Sequence, residues 1–183
     1  GLDRLARDLE RHVADLAMGG TRCALRLARA TTAGHWTATG LDTLELHLSP
    51  NVGEELRPLA RIASGGELSR VMLAMKTLAS TDLPGKTLVF DEVDAGIGGG
   101  VADVVGERLQ VLARGCQVLC ITHLPQVAAF GDSHFRVTKR VEGDRTVTRV
   151  DRLDTEARVD ELARMMGGKD TTARVSGPAL GGG

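Results

Sequence analysis

The chain of 183 residues has no apolar run near the roughly 18 residues that a membrane-spanning helix needs. It also lacks the charged, apolar and small-residue blocks of a secretory leader, so a cytoplasmic setting and no membrane partner are the expectation. Charge of one sign is missing too. A formal net charge of -1 removes any global pull toward nucleic acid and leaves such binding to a local patch or to another part of a larger molecule. Cysteine is scarce and odd in number, at Cys23, Cys116 and Cys120, which suits reduced thiols packed in a core. A phosphate-gripping loop is absent as well. Gly85-Lys86-Thr87 imitates the end of one, but Ser80 stands where its first glycine belongs and the order is helix then strand. Lys76, Lys139 and Lys169 lack the motif altogether.

What is present reads as one domain with a true core, 42% of the residues being hydrophobic. Leu2, Leu5, Leu9, Val13 and Leu16 recur at helical spacing until Gly19 and Gly20 interrupt them. Short alternating stretches, Ala24 to Leu27 and Leu44 to Leu48, predict antiparallel strands around turns at Gly34 and Gly40. A strong helix follows from about Gly66 to Ala79, closed by Asp82-Leu83-Pro84-Gly85. Then come an apolar strand, Thr87 to Phe90, a helix from about Val101 to Ala113, a second apolar strand, Gln117 to Thr122, and a short helix from Pro125. That β-α-β order makes the two strands parallel neighbours. Ser133 to Lys139 and Thr146 to Asp151 form a hairpin around Glu142-Gly143-Asp144, and a last helix runs from Thr155 to Met166.

Four segments carry candidate chemistry. Ser64 and Glu67 have the spacing of a capping box. Capping does not explain Gly65 and Gly66 in the first turn, where each costs up to about 1 kcal/mol relative to alanine. Without side chains they let an anion approach the free amides of the helix start. Asp91 and Glu92 follow a buried strand, where ligands of parallel sheets gather; one such acid can hold Mg²⁺ and another can position or deprotonate water. The glycine-rich turn from Asp94 to Gly100 is no dinucleotide fingerprint, because Val101 occupies the third glycine position. His123 ends the second parallel strand and so shares the edge of Asp91 and Glu92. A zinc site of Cys116, Cys120 and His123 is disfavoured, since alternation turns Cys120 and His123 to opposite faces.

Taken in order, Ser64-Gly65-Gly66-Glu67-Leu68-Ser69, Asp91-Glu92, the Asp94 turn and Thr122-His123 resemble the signature, Walker B, D-loop and switch-histidine elements of ABC-type ATPases. The longer strings Ile62 to Arg70, Phe90 to Gly99 and Cys120 to Ala128 are similar to those of the RecN family, bacterial SMC-like ATPases of DNA double-strand-break repair. The resemblance implies an α/β fold: the C-terminal lobe of an ABC-type ATPase head, with a parallel β-α-β core, flanking helices, small antiparallel strands and a C-terminal hairpin plus helix. It implies that residues 1–18 end a returning coiled-coil arm, that 19–168 form the lobe and that 169–183 are a glycine-rich tail. By the same resemblance Asp91 holds Mg²⁺ through water and Glu92 is general base to the attacking water. Ser64, Gly65, Gly66 and Glu67 meet ATP bound by a second head, Asp94 bridges the two subunits, and His123 contacts the γ-phosphate in its own. The implied partners are an N-terminal lobe supplying Walker A and the Q-loop, a second head in an ATP-dependent homodimer, and DNA through the full-length protein. Arg136, Lys139, Arg140, Arg145, Arg149 and Arg152 give the hairpin a basic excess, diluted by Glu142, Asp144 and Asp151. The rival expectation is a catalytically silent docking module on the same fold.

Overall fold

The computed structural model describes residues 1–32, 38, 40–62, 64–79, 84–142 and 145–167. The turns expected at Gly34, at Asp82 and Leu83, and at Gly143 and Asp144 lie outside these residues, as does the tail 169–183.

The first helix, α1 (Leu2–Ala14), buries Ala6, Leu9 and Val13 on one side. The chain then folds back, Met18 N donating to Val13 O at 3.2 Å, so that Leu16 and Met18 close the base of the same core. β1 (Arg22–Arg29) and β2 (Asp42–Ser49) pair antiparallel, with Cys23 opposite Leu48 and Leu27 opposite Leu44. Only the first of those pairs is buried. The far half of the ribbon therefore projects from the core. Two residues of β3 (Arg57–Pro58) extend this sheet, and the Cys23 amide is tied to α1 by Glu10 Oε1 at 2.7 Å.

Helix α2 (Gly65–Leu78) begins at Ser64, whose hydroxyl accepts from Glu67 N at 3.4 Å, and it buries Val71, Leu73 and Ala74. β4 (Thr87–Phe90) and β5 (Gln117–Cys120) are parallel, Phe90 standing opposite Cys120. The helix α3 (Gly100–Ala113) connects them and starts one residue before the expected Val101. The sequence pattern extended β5 to Thr122, but it stops at Cys120. One more ladder bond forms, Ile121 N to Phe90 O at 2.9 Å, and then Thr122 and His123 turn aside to Asp94. A side-chain acceptor has outcompeted the strand.

Beyond β5 lie α4 (Pro125–Ala129), the antiparallel pair β6 (Phe135–Glu142) and β7 (Arg145–Arg152), and α5 (Thr155–Gly167). The hairpin strands are longer than the alternation suggested. Phe130 seats α4 on α3 at Gly106, where an added Cβ would enter its ring. Within α5, bidentate hydrogen bonds from Arg164 hold the buried Glu161 at 3.0 and 2.6 Å, and the Arg136 guanidinium 3.7 Å away ties that carboxylate to β6. The core gathers residues of α1, α2 and α3 with Phe90, Val93 and Val127. On the parallel sheet, by contrast, Val89, Leu119 and Ile121 stay 63%, 48% and 60% exposed.

Candidate functional site

The carboxyl ends of β4 and β5 are neighbours by register, which brings Asp91, Glu92 and His123 to one edge. Helix α2 adds its start to that edge. Ser69 Oγ donates to Asp91 O at 2.6 Å, and the Glu92 carboxylate lies against Gly65. A Cβ on Gly66 would stand 2.8 Å from Ala95 Cβ and 3.1 Å from Glu92 O. Gly65 and Gly66 thus have a packing reason that needs no ligand: the turn after β4 is pressed onto the helix start. The Glu92 carboxylate also meets the positive end of the α2 dipole there, a favourable placement for an anion.

Ser64, Gly65, Asp91, Glu92 and His123 are exposed, Glu67 is half-buried, and Gly66 and Asp94 are buried. Glu92 has a left-handed backbone, φ 56°, which costs a residue with a side chain about 1–2 kcal/mol. Its neighbour Asp94 turns inward. One of its carboxylate oxygens accepts from Thr122 Oγ1 and from the His123 amide at 3.0 Å, and His123 Nδ1 lies 3.2 Å from it. The Asp94 carboxylate therefore faces its own chain. Asp91 bonds to α2 through its backbone oxygen, and its carboxylate has no partner among the described residues. An exposed, unpaired carboxylate at a strand end fits a hydrated Mg²⁺ ion, which takes one or two carboxylates and keeps several waters.

Sequence reasoning gave no role to three residues that build this edge. Arg70, buried on α2, donates through Nη1 to Ala95 O at 2.8 Å and Val93 O at 3.5 Å. Burial lowers its pKa from the ordinary arginine value, with Glu67 acting in the opposite direction. Ser69 and Thr122 fasten the ends of β4 and β5. Arg70 comes four residues after Gly66, a spacing that returns it to the face of α2 on which the turn packs. Cys120, behind the edge, is inert: burial, then Asp94 and Asp91, pushes its thiol up to about 12.

A parallel β-α-β unit with these acids, this helix start and this histidine on one edge has the fold of an ABC-type ATPase head lobe. Solved structures agree on the fold. The Smc head domain of Pyrococcus yayanosii matches with a TM-score of 0.60 at 22% identity, covering 90% of this chain and 29% of that one. The Smc head of Pyrococcus furiosus bound to the C-terminal domain of ScpA matches at 0.56 and 21%, covering 88% and 37%. Sequence narrows the class. The DNA repair protein RecN of Treponema pallidum is 53% identical over 135 residues, 73% of this chain and 23% of that protein. Those of Halalkalibacterium halodurans and Haemophilus influenzae are 47% identical over 133 residues (73% and 24%) and 43% over 169 residues (92% and 30%). No protein-family model matches. The chain belongs to the RecN family, and it spans about a quarter of the length of these relatives.

Proposed function

We propose that the chain is the C-terminal lobe of a RecN ATPase head, completing a nucleotide site whose phosphate-gripping loop lies in an N-terminal lobe. The carrying observation is the single edge formed by the α2 start, the Asp91-Glu92 turn and His123, joined by the Ser69 and Asp94 hydrogen bonds. Asp91 is the side chain to hold Mg²⁺ through water; the bound ion would neutralise charge on the phosphates. Glu92 takes the proton of the water whose oxygen attacks the γ-phosphorus as ADP leaves. His123 offers its exposed ring to the γ-phosphate. Ser64, Gly65, Gly66 and Glu67 close over ATP held by a second head, so that charge developing in the transition state is met from both sides.

The N-terminal lobe finds support in the apolar side chains left open on the parallel sheet, Val89, Leu119 and Ile121. α1, at the edge of the core, is read as the foot of a returning coiled-coil arm. DNA repair by the full-length protein takes its support from the name of the relatives, and ATP-driven head dimerisation in the bacterial cytoplasm is the setting in which this lobe would act. Among the described residues no helix is long and apolar enough to cross a membrane.

The test is Glu92→Gln in the full-length protein. Hydrolysis should fall at least about 100-fold, the scale of a lost general base, while an ATP-bound dimer accumulates. Unchanged turnover would remove Glu92 from its role. An inert wild-type protein, assayed with Mg²⁺, ATP and DNA, would favour the docking module instead.

A further inference from the structure

Asp94 is the most deeply buried acid at the site, its side chain 3% exposed beside a His123 side chain that is 71% exposed. An exposed imidazole at the end of a strand would ordinarily sample several rotamers and both neutral tautomers. Here its Nδ1 is 3.2 Å from Asp94 Oδ2, and the same oxygen holds the His123 amide at 3.0 Å. One atom thus holds the backbone of this residue and stands against its ring. Thr122 Oγ1 donates to that oxygen too and accepts from Leu124 N at 3.0 Å, which shapes the loop on both sides of the histidine.

The acid is itself held. Arg70 bonds the carbonyls of Val93 and Ala95, the residues flanking Asp94, and Ser69 bonds the carbonyl of Asp91. A continuous set of hydrogen bonds therefore runs from α2 through the turn to His123. We infer that Asp94 is a positioning residue for His123: it keeps the proton on Nδ1 and aims Nε2 outward before nucleotide arrives, as a carboxylate behind a metal-bound histidine does. The inference rests on the reading of His123 as the group that meets the γ-phosphate. It differs from a bridging role toward a second subunit, because an oxygen already accepting two hydrogen bonds of its own chain, with His123 Nδ1 3.2 Å away, must surrender them to bond elsewhere.

A double-mutant cycle on the full-length protein tests it. Asp94→Asn should lower kcat for ATP hydrolysis by about 10–100-fold, the usual scale for such outer partners, with KM changed less than about 3-fold. In a His123→Ala background the same substitution should cost no more than about 2-fold further, since the residue it acts through is gone. Equal losses in both backgrounds would overturn the inference and leave the His123 reading intact. Full activity of His123→Ala alone would bring down that reading and the inference with it. Should Asp94→Asn fail to fold, Thr122→Val is the second probe: it removes one donor from Oδ2 and should give a smaller loss that again vanishes with His123→Ala. A Thr122→Val loss that persisted there would count against the inference.

Discussion

The two sides of the molecule use the same residue types to opposite ends. Where α1, α2 and α3 meet, Val13, Val71, Leu73 and Val105 are wholly buried. Across the parallel sheet and along the hairpin, Val89, Leu119, Ile121, Val137 and Val150 stand open. Apolar strands thus declare that a face is made for burial without saying which segment buries it. One side is finished within the chain, and the other fits the N-terminal lobe proposed above.

That contrast can be broken by substitution. Leu73→Ala on the closed side should cost about 2–5 kcal/mol through lost burial and a cavity, seen as a lower unfolding midpoint in denaturant. Val89→Ala on the open side should cost this chain under about 0.5 kcal/mol, the usual range for surface changes. It should become comparable to a core change only in the full-length protein, and equal costs in both would remove the open face as a lobe contact. Gly106→Ala would drive a Cβ into the Phe130 ring, and overpacking there should cost about 1–3 kcal/mol and loosen α4 first, detectable by hydrogen exchange.

The smallest effect expected is one of pH. The Arg164 hydrogen bonds hold the Glu161 carboxyl below its ordinary value, against desolvation and with help from Arg136 and His134. A depressed folded pKa contributes stability above the unfolded value of about 4.3, which is lost as pH falls through the folded one. The junction of α5 with the hairpin should therefore open early in an acid titration, and Glu161→Gln should flatten that acid limb. An unchanged limb would show that the pair contributes nothing.

Most elements were legible in the sequence because their periods were clean: β4 has the expected bounds, and α3 and α5 fall within a residue of theirs. The shared edge of Asp91, Glu92 and His123 followed from strand order alone. Thr122 escaped that logic, because an acceptor 28 positions away drew it out of β5. The inward turn of Asp94 was equally hidden, since an acid in a glycine-rich turn reads as solvated. Arg70 was overlooked for a similar reason: a cation on a helix is expected outside, and the carbonyls of Val93 and Ala95, with the charge of Glu67, make its burial tolerable. Gly65 and Gly66 were recognised as unusual, yet their contact with the Glu92 turn depends on how two distant segments pack.

The left-handed backbone at Glu92 carries an evolutionary consequence. Glycine would relieve that conformation, so the substitution most favourable to heat resistance at this position is also one that deletes the carboxylate. A library of this chain sorted for thermal tolerance alone should drift toward Glu92→Gly, whereas one sorted, within the full-length protein, for the function proposed above should retain the glutamate and tolerate the lower melting point.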